Sequence, residues 1–162
     1  MVTVVVVGSA AVDEQIAPDG VSRVQLGGVV TYGGATFVRE GLRAVAVCNL
    51  DARWGPAVRA GLQRLGVEVC AGPSSSMTRF QNRLLPDGGR QQQILGIDDA
   101  IGAEVVARAL EGVDAPHVHL GPLHGADISD EALQFIASRA SVVTLDVQGF
   151  VRRGETGRCG TR

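Results

Sequence analysis

Residues 2–7 form a continuous β-branched, mostly apolar run that stops at Gly8. Such a run fits a strand covered on both faces, as in the middle of a parallel sheet. Four further short apolar runs follow, at 43–48, 67–70, 117–121 and 142–145. The segments between them carry helical spacing. Val58, Leu62 and Leu65 fall on one face, as do Val105, Val106, Ala109 and Leu110, and again Leu133, Ile136, Ala137 and Ala140. Asp130 and Glu131 sit in a first turn, where negative charge complements the helix dipole. Strands alternating with helices predict right-handed βαβ units and a mostly parallel sheet, an α/β fold.

Two segments break this rhythm. Residues 16–26 are polar and turn-rich around Pro18-Asp19-Gly20, and residues 79–95 read as a hairpin turning at Pro86-Asp87-Gly88-Gly89. Together they predict a small antiparallel flap beside the main sheet. Flaps of this kind close over ligands, although a plain surface hairpin has the same pattern. Pro73-Ser74-Ser75-Ser76 is the only linker-like stretch, and residues 152–162 carry no apolar periodicity, so a frayed tail is expected there.

With 162 residues the chain is long enough for one α/β domain and short for two. A net charge of −2 provides no basic field for nucleic acid or an anionic membrane. All fifteen basic residues are Arg, so a P-loop lysine and Schiff-base chemistry are excluded. Cys48, Cys70 and Cys159 form no CxxC pair, and an odd number suits a reducing compartment. The apolar start lacks a basic flank and is too short for a signal peptide or a membrane span, so a cytoplasmic location is expected.

In open α/β sheets ligands sit beyond the carboxyl ends of the strands. Asp13 follows the first strand there, and its two oxygens can accept from different hydroxyls of a polyol. The same residue type also caps turns. Gly27-Gly28 precedes a helix expected over 29–40, where two glycines permit close backbone approach. The GxGxxG dinucleotide fingerprint is absent after the first strand. His117 and His119 share a strand face, but no Cys or carboxylate stands at metal-ligand spacing, so no metal site is predicted. His124, past a strand end, is placed to touch a ligand, as are Asp146 and Gln148 after the last strand. Three strand ends thus bring polar groups to one rim.

These residues carry a resemblance. The chain resembles the ribokinase-like (PfkB) carbohydrate kinases in Gly8-Ser9 with Asp13 five residues after the glycine, and in Gly27-Gly28 opening a helix. Asp51 to Gly55 followed by Leu65-Gly66-Val67, and the two flap segments at about 14–26 and 79–95, are similar to that family's pattern. The run Asp146-Val147-Gln148-Gly149-Phe150-Val151-Arg152 resembles a subgroup that includes inositol kinases. The resemblance covers about residues 2 to 153.

It implies a ribokinase-like, three-layer Rossmann-type sheet, incomplete here, with a small antiparallel β-lid. On this reading residues 1–153 are the substrate-binding half of a kinase domain and 154–162 an irregular tail. The implied activity is transfer of the γ-phosphate of ATP, with Mg2+, to a sugar or polyol hydroxyl. Asp13 would hold substrate hydroxyls, with Gly27, Gly28, Tyr32, His124 and Gln148 around it. Tyr32 stands where many members have Asn, a departure that points to a different substrate. The family's GxGD motif, which carries its catalytic base and anion hole, is absent, and residues 156–160 resemble only its glycine-rich lead-in. The chain is therefore expected to be truncated, to hold no catalytic residue and to be inactive alone. Two alternatives remain open. One is a non-catalytic sugar-binding module, or a homodimer formed through the lid. The other is an unrelated Rossmann-like nucleotide binder.

Overall fold

The computed structural model describes residues 2–155 and 158–161, with side chains described through Val151. Five parallel strands form the main sheet: β1 (Thr3–Val7), β4 (Arg43–Leu50), β5 (Glu68–Pro73), β8 (His117–Leu120) and β9 (Val142–Leu145), in the order β5-β4-β1-β8-β9. β1 lies in the centre, as its unbroken Val run requires. Val5, Val6 and Val7 are wholly buried.

Successive side chains of a strand point to opposite faces, and here both faces are covered. Val4 and Val6 of β1 and Ala44, Ala46 and Cys48 of β4 pack with Val30, Val58 and Leu62, from α1 (Val29–Arg39) and α2 (Gly55–Arg64). Val5, Val7, Val45 and Val47 pack on the other side with Val105, Val106 and Leu110 of α3 (Ala103–Leu110) and Ala132 and Ile136 of α4 (Asp130–Arg139). The result is the expected three-layer α/β arrangement. The Ser129 side chain accepts from the Ala132 N–H and caps α4, above Asp130 and Glu131 in the first turn. Two expected core positions lie outside: Leu65 caps the end of α2 and is 43% exposed, and Ala137 faces solvent. The edge strand β9 is apolar yet exposed along its whole length.

The flap is a separate four-stranded sheet. β2 (Ala11–Ile16), β3 (Ser22–Gly27), β6 (Thr78–Leu84) and β7 (Arg90–Gly96) run in the order β3-β2-β6-β7. β2–β3 and β6–β7 are antiparallel hairpins, and β2 pairs with β6 in parallel, so the lid is mixed rather than wholly antiparallel. The chain crosses between the two sheets four times, at residues 8–10, 27–28, 74–77 and 97–102. A short helix, α5 (Gln148–Val151), follows β9. The tail, expected to be irregular, pairs β10 (Arg152–Glu155) with β11 (Arg158–Thr161) through backbone bonds that apolar periodicity does not report. Of the glycine-rich lead-in, Arg158, Cys159 and Gly160 lie in β11, and Thr156 and Gly157 fall outside the described residues. Among the described residues no helix is long and apolar enough to cross a membrane.

Candidate functional site

The strand periodicity decides what the lid shows to the main domain. Asp13 pairs with Gln25 and Phe80, and Gln15 with Asn82. Asn82 pairs with Gln92, and Leu84 with Arg90. These residues therefore share one face of the lid sheet. That face closes one side of a cleft of about 720 Å³, within the usual range for small-molecule sites. The opposite wall comes from the start of α1, through Gly28, Val29, Tyr32 and Thr36, and from the carboxyl ends of β8 and β9, through Leu123, Asp146 and Gln148.

The lining is rich in groups that exchange hydrogen bonds with hydroxyls. Two carboxylates, Asp13 and Asp146, only accept, while the amides of Gln15, Gln25, Asn82, Gln92 and Gln148 both donate and accept. The Asn82 carbonyl oxygen accepts from the Gln92 amide at 2.7 Å, which fixes both side chains across the lid hairpin. Asp146 accepts from the Gln148 N–H at 2.9 Å and so orients the start of α5. The Tyr32 hydroxyl donates to the Leu26 carbonyl at 3.3 Å, holding its ring at the cleft mouth. Among the described residues, Arg90 is the single cationic side chain in the lining.

The two glycines have distinct reasons. A Cβ on Gly27 would lie 2.2 Å from an Asp13 carboxylate oxygen, so a bare backbone leaves room for that side chain. Gly28 has φ +85, and its Cβ would fall 2.2 Å from the Ser9 carbonyl oxygen. Only glycine combines that conformation with that approach. The second crossing therefore passes directly over the first.

The structure brings Asp13, Gly28, Tyr32 and Gln148 to the cleft, with Gly27 beneath Asp13. It does not bring His124 there. Leu123 takes the cleft-facing place, and its N–H donates to Asp127 at 2.7 Å, which turns the loop so that His124 points inward. His124 Nε2 faces Asp98 at 3.9 Å and Asp127 at 3.7 Å, and both of those side chains are wholly buried. Asp98 lifts the His124 pKa against the lowering effect of burial. Asp98, His124 and Asp127 thus form a cluster of potential metal ligands, where none was predicted. His119 stacks edge-on against Phe37 at 5.8 Å and bonds Thr144 at 2.9 Å; burial lowers its pKa, as for a packed strand histidine.

Sequence reasoning missed the lid residues Gln15, Gln25, Asn82, Arg90 and Gln92. From Asp13, strand alternation and the β2–β3 pairing lead to Gln15 and Gln25, whereas Asn82, Arg90 and Gln92 follow only from the parallel β2–β6 pairing, which leaves no local mark. For the buried cluster no local signal existed, because Ser9, Asp98 and Asp127 are far apart in sequence.

No family model and no curated protein matches the chain by sequence. Solved structures do match it in shape. A pyrophosphate-dependent kinase in the ribokinase family, complexed with a pyrophosphate analog and myo-inositol, superposes with a TM-score of 0.80 at 22% identity, over 98% of this chain and 54% of its own. A sulfate complex of a pyrophosphate-dependent kinase in the ribokinase family gives 0.81 at 23% identity, over 98% and 55%. Ribokinase from Thermotoga maritima gives 0.68 at 16%, over 91% and 53%. The chain spans about half the length of these kinases. Over that span it has the ribokinase-like fold, main sheet and lid together.

Proposed function

We propose that this chain is the acceptor-binding half of a carbohydrate or polyol kinase, and that its lid cleft holds a neutral polyol such as myo-inositol. The observation that carries the reading is the composition of the cleft. Five amides, two carboxylates and a tyrosine hydroxyl line one pocket, placed on a fold shared with a kinase complexed with myo-inositol. Asp13, Tyr32, Gln148 and the lid amides would take the ring hydroxyls. Gly27 and Gly28 would let the lid approach.

The phosphoryl donor would be ATP or, as in the pyrophosphate-dependent neighbours, pyrophosphate. The chain has no Lys and no GxGD run, and among the described residues the cleft has one cation, out on the lid. We therefore assign no residue here to a donor or to Mg2+, and derive no step through either. On this reading transfer requires a donor-binding half that packs beside the exposed apolar strand β9. The chain alone binds acceptor without phosphorylating it.

The test is nuclear magnetic resonance mapping with myo-inositol and a panel of neutral sugars, beside a transfer assay with ATP or pyrophosphate. Shifts confined to the lid face, α1 and the β8 and β9 ends, with no product formed, are the expected result. Turnover by the chain alone would contradict the half-site reading. Shifts outside the cleft would contradict the assignment of the site.

A further inference from the structure

All four crossings between the sheets meet at one buried polar knot. Ser9 lies in the first crossing, and Gly28, in the second, packs on its carbonyl. Thr78 ends the third crossing and Asp98 lies in the fourth. His124 and Asp127 join them from the loop between β8 and α4. Ser9, Thr78, Asp98 and Asp127 are all buried. Two carboxylates shut away from water need donors or a positive charge to replace it.

The donors within reach are too few. The Thr78 hydroxyl donates to Asp98 Oδ1, and the Ser9 and Leu123 N–H groups donate to Asp127 Oδ2, at 3.3 and 2.7 Å. The Ser9 hydroxyl touches both carboxylates, at Asp98 Oδ1 and Asp127 Oδ1, but its one proton serves only one of them. Asp98 Oδ2 is buried with no hydrogen-bond partner, although the Asp98 side chain is wholly shut off from solvent. Among the described residues no Arg pairs with either carboxylate, and His124 is the basic side chain beside them. Its Nε2 is likewise buried without a hydrogen-bond partner, 3.9 Å from Asp98 Oδ1 and 3.7 Å from Asp127 Oδ1. Buried acceptors short of donors, with an imidazole nitrogen turned toward them, form a ligand set that a cation completes.

We propose that Asp98, Asp127 and His124 Nε2 hold one divalent cation, Zn2+ or Mn2+, and that this ion fastens the lid crossings to the main domain. The spacing fits. An ion about 2.1 Å from each of two ligands spans at most about 4.2 Å between them, and both histidine–carboxylate distances fall inside that limit. One ligand atom from each of the three side chains lies within 4.8 Å of the others, so little movement closes them on one centre. Two carboxylates balance a double positive charge. The imidazole favours Zn2+ or Mn2+ over Mg2+ and Ca2+, which prefer oxygen alone. The Ser9 and Thr78 hydroxyls then orient the ligating carboxylates from behind. The His124 side chain is 19% exposed and gives the ion a way in.

Binding has one local cost. The ion takes the Nε2 lone pair, so the ring proton moves to Nδ1, which now accepts from the Ala126 N–H at 3.3 Å. That contact is long and exposed, and water replaces it. In return the ion ties Asp98, on the fourth crossing, to the loop that follows β8. Leu123 takes the cleft-facing place in that loop, so the ion joins elements of the fold and leaves the cleft to its ligand. The inference does not depend on which polyol binds.

The test uses the full chain without any polyol, so its failure is separate from that of the proposed function. After treatment with a chelator, titration calorimetry with Zn2+ and with Mn2+ should show one site per chain, and Mg2+ and Ca2+ should bind at least tenfold more weakly. Mn2+ should broaden the amide resonances of residues 9, 98, 124 and 127 before those of Asp13 and Asp146. Zn2+ at a hundredfold excess over its Kd should slow amide exchange in β2 and β6 at least tenfold. His124→Ala removes one ligand at a partly exposed position and should weaken Zn2+ binding at least tenfold, as should Asp98→Asn. Absence of a stoichiometric site for either ion overturns the proposal and needs no variant. So do broadening centred on the cleft, Mg2+ or Ca2+ bound as tightly as Zn2+, lid exchange that Zn2+ leaves unchanged, or a Zn2+ affinity that survives His124→Ala.

Discussion

Asp13 and Asp146 line an open cleft, whereas Asp98 and Asp127 lie close behind the same lid with side chains wholly buried. The residue type is the same and the settings are opposite. In the cleft the carboxylates border open space that a ligand can enter. In the buried knot around Ser9 the two carboxylates are shut away from solvent, and their hydrogen bonds go to Ser9, Thr78 and Leu123 at the crossings and the β8 end. The difference separates function from stability. Changes in the cleft should alter binding at almost constant stability, and changes in the knot should do the reverse.

The largest expected effect is on the knot. Asp98→Ala removes the acceptor of the Thr78 hydroxyl and one of the two acceptors of the Ser9 hydroxyl, and should cost about 3 kcal/mol of stability. Urea unfolding would measure it. A loss below about 0.5 kcal/mol, the range of ordinary surface substitutions, would show that the knot does not hold the crossings. In the cleft, Asp13→Asn should weaken myo-inositol binding by roughly ten- to a hundredfold, the scale of a lost charge-assisted hydrogen bond. Its unfolding midpoint should stay near that of wild type.

A smaller effect tests the third and fourth crossings. Asp99 accepts from the Ser75 N–H at 2.7 Å and from the Ser74 hydroxyl at 3.2 Å. The Ser75 backbone bond, foremost, holds its pKa below the ordinary carboxylate value. The stability this adds is present above that ordinary value, about pH 4, and is lost as pH falls through the depressed one. Asp99→Asn should therefore flatten part of the acid limb of a stability profile between about pH 5 and 2. The smallest effect is at the far edge of the main sheet. Arg43 and Glu68 form a two-pronged ion pair at 2.7 Å, but both side chains are about half exposed. Arg43→Ala should cost less than about 1 kcal/mol, and less still in high salt.

The legible and illegible parts of this chain divide on the same physical line. The β1 Val run, the apolar helix stripes and the Pro86-Asp87-Gly88-Gly89 turn are local signals, and each led to the right element. Gln148 was legible as a residue past a strand end, since strand direction alone fixes that rim; Asp13 was reached by the same argument but lies on the lid strand β2. Gly27 and Gly28 were legible as close-approach points, although not what they approach. The parallel β2–β6 pairing was not legible, because it joins segments some seventy residues apart without a local mark. His124 misled for the same reason. Its loop position fits a ligand contact, and its orientation is set by Asp127 and Leu123, through bonds that only the folded chain makes.

Titration calorimetry of the chain with myo-inositol, run beside Asp13→Asn, tests the central claim most directly. The account predicts one site per chain, a clear loss of affinity in the variant, and the same unfolding midpoint for both proteins. Equal affinity in the two proteins, or a folded wild-type chain that binds neither myo-inositol nor any neutral sugar, would contradict it.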